Sequence, residues 1–103
     1  MVKILADKAQ FDAVIAEGKL TVVDFYATWC GPCRMIAPKI EEMEAANPDV
    51  NFVKVDVDEN SDTAEACGIS AMPTFHFYKN GEKLDEVVGA DEGKIQELVA
   101  KLK

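Results

Sequence analysis

The chain has 103 residues, 49% of them hydrophobic, enough apolar surface for the core of one small domain over residues 1–103. Lys and Arg number 11 against 19 Asp and Glu, and the net charge of −8 is scattered, which argues against nucleic acid and anionic membranes as partners because both need a basic surface. No run of about 18 apolar residues is present to span a membrane, and Met1–Asp7 meets an acid too early to form a secretory signal. Three cysteines, an odd number, do not make a secreted disulfide scaffold, so a reducing cytoplasm is the expected setting.

In chain order, Val2 to Leu5 reads as a short strand. Asp7 then caps a helix, with Gln10 as its capping-box partner, Phe11, Val14 and Ile15 on one face, and Gly18 at the position after the last turn. Leu20 to Ala27 is nearly all apolar, the pattern of a strand covered on both faces, and Asp24 is its one misfit. After Cys30 a helix begins with Pro32 in its first turn and Met35, Ile36, Ile40 and Met43 as its apolar stripe. Pro38 should kink that helix without ending it, and Asn47-Pro48 closes it. Asn51 to Val57 is a third strand. Ser61 caps a short helix that runs through Ala64 to Cys67 and stops at Gly68. Thr74 to Lys79 and Lys83 to Val88 are strands joined by Asn80-Gly81, a strong hairpin signal. Asp91 caps a last helix with Ile95, Leu98, Val99 and Leu102 on its buried face.

The order β-α-β-α-β-α-β-β-α predicts an α/β protein. Its sheet should be central and mixed, mostly parallel with one antiparallel hairpin, with about five strands and four helices on both faces.

Chemistry concentrates at Asp24 to Cys33. Cys30 and Cys33 are three apart, one helical turn, with Cys30 near the N-cap and Cys33 inside the first turn. Unpaired backbone N–H groups and the positive end of the helix dipole favour a thiolate at the first cysteine. That suits an attacking thiolate backed by a resolving thiol, and two other uses of the pair stand beside it. Zinc needs about four ligands, and only Cys67 and His76 remain to join the pair, with no second CxxC. An inert structural disulfide would close too small a ring to constrain much of the unfolded chain. A further possibility of a different class is a binding module whose cysteines are incidental.

Trp29-Cys30-Gly31-Pro32-Cys33, with Asp24 before it and Pro38, Met72-Pro73-Thr74 and Gly89-Ala90 after it, resembles the thioredoxin family over the whole chain. Tyr26-Ala27-Thr28 and Ala71 to Phe75 are most similar to eukaryotic cytosolic members. The resemblance implies a thioredoxin fold and a general reductant of protein disulfides, with Cys30 as nucleophile and Cys33 as resolving thiol. It implies no bound cofactor, electrons drawn from NADPH through thioredoxin reductase, and disulfide-bearing clients of the peroxiredoxin and reductase types, met by a cytoplasmic monomer. Gly31 and Pro32 would set the redox potential: neither brings positive charge to the thiolate, whereas a histidine there, as in isomerase-like relatives, would make the disulfide more oxidising.

Asp24 in a two-sided strand is costly unless neutral or paired. It is expected to accept the proton of Cys33 as that thiol attacks, tuned by Lys54 on a neighbouring strand. By the resemblance the Met72-Pro73 bond is cis and faces the cysteines, offering a backbone edge to a client segment. Trp29, Gly31, Pro32, Met72, Gly89 and Ala90 would surround Cys30 as a flat apolar patch for binding many protein disulfides. Cys67 reads as a small apolar filler on a helix face. His76, between Phe75 and Phe77, reads as an outward-facing strand residue.

Overall fold

The computed structural model describes residues 1–103. Its elements are β1 (Lys3–Ile4), α1 (Lys8–Ile15), β2 (Thr21–Tyr26), α2 (Gly31–Ala46), β3 (Asn51–Asp56), α3 (Ser61–Ala66), β4 (Thr74–Lys79), β5 (Glu82–Val88) and α4 (Glu92–Leu102). The strands form one sheet in the order β1-β3-β2-β4-β5. β1 and β2 both pair with β3 in parallel, while β4 runs antiparallel to β2 and to β5. The sheet is mixed, as expected, but its pairings divide evenly between the two senses.

The lengths of the connecting helices account for this. α2 has 16 residues, about 24 Å of helix at 1.5 Å per residue, enough to carry the chain back along a six-residue strand of roughly 20 Å. α3 has only 6 residues, roughly 9 Å, and cannot return it. β4 therefore starts at the end where β3 stopped and runs the other way. One edge of the sheet consequently gathers the C-terminal ends of β2, β3 and β5 and the segment entering β4.

Both faces of the sheet are covered. Val22 and Phe52, with Phe75 and Phe77, pack beneath Ile36, Ile40 and Met43 of α2 and Ile95, Leu98 and Val99 of α4. On the other face Val23, Phe25, Val53, Val55 and Tyr78 meet Phe11 of α1 and, at its margin, Cys67 and Ile69. The uninterrupted apolar run of β2 follows from this two-sided burial.

Several local expectations need correction. Met35 fits the apolar stripe of α2 by its spacing but is 79% exposed, and Cys33 takes its place beside Ile36, Ile40 and Met43. As expected, α2 continues through Pro38 and closes at Asn47, its C-cap. α1 ends at Ile15 with Ala16 as C-cap, so Gly18 lies beyond the stop. The carbonyls at that end are satisfied from far along the chain: the Asn80 and Gly81 N–H groups donate to Glu17 and Ile15 at 2.9 and 2.7 Å. Asn80 and Gly81 hold φ of 55° and 80°, the left-handed pair a two-residue hairpin turn requires. Asp7 caps α1 through the Gln10 N–H, and the Gln10 side chain reaches back to the Ala6 N–H at 2.8 Å, one residue before the cap. Asn60, not Ser61, is the N-cap of α3; its side chain instead accepts from the Thr63 hydroxyl and donates to the Leu5 carbonyl.

His76 is the largest departure. The alternation with Phe75 and Phe77 holds, but the opposite face of β4 is covered too, so His76 is 1% exposed rather than outward-facing. Its ring sits edge-on to Phe25, with Nδ1 3.2 Å from the Tyr78 hydroxyl and Nε2 3.5 Å from Glu86. Burial, aided by Lys83 and opposed by Glu86, holds the imidazole below its ordinary value. The unfolded chain therefore takes up this proton first as pH falls through about 6.5, and stability drops with it. We expect unfolding free energy to fall less steeply between about pH 6.5 and 5 in His76→Gln than in the parent, measured by urea titration. Identical slopes would mean the buried imidazole protonates as freely as an exposed one.

Candidate active site

The strand-to-helix turn after β2 places the two cysteines. Tyr26 ends the strand, Ala27 is fully buried, and Cys30 serves as N-cap of α2 with an extended backbone. The Cys33 N–H donates to Cys30 Sγ at 3.2 Å. An N-cap acceptor of this kind is stabilised most when it carries negative charge. Pro32 fills the first turn at no cost in hydrogen bonds.

Cys30 and Cys33 are joined as a disulfide, with Cα atoms 5.3 Å apart. They differ little in exposure, at 6% and 4%. What separates them is the surroundings. Cys30 Sγ lies 3.7 Å from the Met72 carbonyl oxygen, at the edge where strand ends converge. Cys33 faces inward, lining a cavity of about 30 Å³ with Val2, Asp24, Tyr26, Ala37, Ile40, Glu41 and Lys54.

Asp24 is the polar floor of that cavity. It is 5% exposed and its Oδ1 has no hydrogen-bond partner. Burial pushes its carboxyl up from 3.8 to about 7, against the pull of Lys54, its register partner on β3. The Lys54 ammonium stands 5.1 Å from the centre of the Tyr26 ring. Parallel pairing of β2 and β3 thus puts Asp24, Lys54 and Cys33 around one space.

The rim follows from the shared sheet edge. The Met72-Pro73 peptide bond is cis. Thr74 donates its hydroxyl to the Ala71 carbonyl at 2.6 Å, and the Pro73 carbonyl accepts the Gly89 N–H at 2.8 Å. Gly89 holds φ of 102°, a region that side chains rarely adopt, so the glycine lets the chain turn off β5 beside Pro73. Trp29 is 66% exposed, and its indole N–H donates to Asp58 at 2.9 Å. Pro32 and Ala90 border one shallow depression with Met35 and Ile36. Trp29, Gly31, Pro32, Met72, Pro73, Gly89 and Ala90 are therefore all brought to the end of the sheet that carries Cys30.

Sequence pattern alone does not single out Asp58 or Glu41. Asp58 follows β3, and parallel pairing with β2 is the signal that would have placed it beside Trp29. Glu41 lies eight residues after Cys33 on α2, along the same side of the helix. Cys67 and His76, considered above as zinc ligands, lie instead with Tyr78 on the opposite face of the sheet, and no group of three or more His, Cys, Asp or Glu is placed to hold a metal ion.

A cysteine pair spanning the first turn of a helix, beneath a cis-proline loop and above a buried acid, defines a thiol–disulfide oxidoreductase. Comparison with known proteins gives the family. Residues 2–102 match the thioredoxin family model. The chain is 55% identical over 106 residues to thioredoxin of Geodia cydonium, covering 100% of both. Among solved structures it overlays on Fasciola hepatica thioredoxin with a TM-score of 0.96 at 45% identity, covering 99% of this chain and 100% of that one. It also overlays, with a TM-score of 0.93 at 39% identity over 98% of this chain and 95% of that one, on a chain from a study of thiol resolution in a yeast mitochondrial 1-Cys peroxiredoxin via glutathione/thioredoxin systems. The chain belongs to the thioredoxin family, and it is a reductant of protein disulfides that works through the Cys30–Cys33 pair.

The raised carboxyl of Asp24 is also a statement about stability. Folding favours its neutral form, so this contribution is complete below pH 3.8 and is lost as pH rises to about 7. At about 1.4 kcal/mol per pH unit the ionised acid costs the fold up to roughly 4 kcal/mol above that range. Asp24→Asn removes the charge and keeps the shape. We expect it to stabilise the protein by about 1–3 kcal/mol at pH 8 and by little at pH 4, read from urea titrations at both values. Equal or lower stability at pH 8 would contradict a buried, costly acid.

Proposed function

We propose that residues 1–103 act as one domain in which Cys30 opens the reaction and Cys33 closes it. The Cys30 thiolate attacks one sulfur of a client disulfide, and the client's other sulfur leaves as a thiolate. Cys33 then gives its proton to Asp24 and attacks Cys30 Sγ, releasing the second client sulfur and closing the Cys30–Cys33 bond. Two electrons have passed to the client, and its two sulfurs take up protons. The observation that carries this reading is the N–H of Cys33 aimed at Cys30 Sγ while Cys33 itself shares a cavity with Asp24.

Lys54 tunes Asp24 from β3, and Gly31 and Pro32 keep the pair reducing by adding no positive charge beside the thiolate. Trp29, Met72, Pro73, Gly89 and Ala90 form the client surface, with the backbone beside Pro73 as the edge that an extended client segment pairs with. A surface built this way fits many proteins rather than one small molecule.

Resetting the pair requires two electrons from outside. We assign their supply to NADPH through a thioredoxin reductase, with no cofactor bound to this chain. Peroxiredoxins and disulfide-forming reductases are the proposed clients, and the similarity to a chain from the study of thiol resolution in a yeast mitochondrial 1-Cys peroxiredoxin supports the first of these. The chain is taken to act as a monomer in a reducing compartment, the cytoplasm. No helix is long and apolar enough to cross a membrane.

Cys33→Ser leaves the first attack intact and removes the second. It should accumulate covalent complexes with disulfide-bearing proteins through Cys30, released by dithiothreitol and visible on non-reducing gels. Cys30→Ser should trap none. The parent should catalytically reduce a protein disulfide such as insulin's with dithiothreitol as electron source. If both cysteine variants held the same partners non-covalently and the parent reduced nothing, the chain would be a binding subunit instead.

A further inference from the structure

The Asp24 cavity contains a second carboxylate that the mechanism above does not use. Cys33, Ala37 and Glu41 follow one another at four-residue spacing along α2, so Glu41 stands two turns past the resolving cysteine on the same side of the helix. Its side chain is 39% exposed, placing it at the mouth of the cavity rather than its floor. It is held there by the backbone: the Val2 N–H donates to Glu41 Oε2 at 3.0 Å. The segment leading into β1 therefore fixes where this negative charge sits.

The charged and titratable groups around Asp24 come from three elements. β3 contributes Lys54, β2 the Tyr26 phenol, and α2 Glu41, with Cys33 held in the disulfide and joining them only on reduction. On the β4 side the register partner is Phe75, which carries no charge. The Met1 ammonium is directed to Glu44 at 2.8 Å and to Glu41 at 3.8 Å. Lys54 is the single cation of the cavity, with two carboxylates beside it and an ion pair to neither.

We propose that Glu41 is a positioning residue for disulfide exchange: pinned at the cavity mouth, its charge opposes that of Asp24 and shares the field of Lys54, and so sets the pH at which Asp24 takes up its proton. A carboxylate next to another ionising carboxylate disfavours the second charge, and one that also draws on the same ammonium weakens the attraction that favours it. Both effects act across a small, half-buried space, where charges are screened less than at an open surface. Glu41 thereby raises the pH at which Asp24 is ready to accept the proton of Cys33. This last step rests on the role assigned to Asp24 above.

The test is a pH titration of the Asp24 carboxyl carbon by NMR in the disulfide form. Glu41→Gln should move its midpoint down by about 0.5 pH unit, roughly a threefold change in the ratio of protonated to ionised carboxyl. Glu41→Asp, which keeps the charge, should restore most of the parent value. Glu44→Gln removes a carboxylate that also meets the Met1 ammonium but does not line the cavity, and should leave the midpoint in place. An unmoved midpoint in Glu41→Gln, or an equal shift in Glu44→Gln, would overturn the proposal. The titration reads Asp24 without turnover, so it is independent of the kinetic role. If the midpoint shifts while the acid limb of the disulfide-reduction profile stays put, Glu41 sets the protonation of Asp24, but Asp24 is removed from the proton path and the positioning role of Glu41 in disulfide exchange is overturned with it.

Discussion

The site depends on the turn by which β2 becomes α2. Cys30 must be both the residue that leaves the strand and the N-cap of the helix, because only there do free backbone N–H groups converge on a side chain. The Cys33 N–H at 3.2 Å from Cys30 Sγ is the visible part of that constraint. It also fixes the partner: one helical turn later, the next side chain on this side points back under the sulfur into the core. The rim residues arrive by a separate cause. α3 is too short to recross the sheet, so β4 begins, and β5 ends, at the edge where β2 and β3 stop.

The two-sided sheet that gives the domain its core also creates the tension at Asp24. A strand buried on both faces has no place for a carboxylate, and its Oδ1 is left without a partner. The acid is tolerated because Lys54 lies opposite on a parallel neighbour and because a small cavity adjoins it. The same placement gives it a proton affinity near neutrality, which an exposed aspartate lacks. Stability is lowered at a carboxyl that shares its cavity with Cys33. Local violations of packing rules are expected at functional positions.

Most of this was legible in the sequence. Local chemistry carries the cap at Asp7, the Asn80-Gly81 hairpin and the cysteine turn, and the unbroken apolar run of β2 already exposes Asp24 as a misfit. Features set by distant parts of the chain were not legible. Met35 fits a helical stripe, yet the position over the core belongs to Cys33, because the angle of α2 on the sheet is set by where β2 releases it. His76 alternates as an outward residue would, but α1 and the segment after α3 cover that side of β4. The antiparallel entry of β4 follows from the reach of α3, a comparison of lengths rather than a residue pattern. Glu41 becomes visible only once α2 is laid against β3 and the chain before β1 crosses its end.

The central claim is that the helix mouth ionises one sulfur of the pair and leaves the other protonated beneath it. It is tested most directly by reducing the protein and following alkylation of each cysteine by iodoacetamide across pH, with the modified residue identified by mass spectrometry. Cys30 should react with a midpoint clearly below the ordinary thiol value of about 8.5, and Cys33 should lag behind it throughout. Equal rates at both cysteines, with an ordinary midpoint at Cys30, would contradict the account.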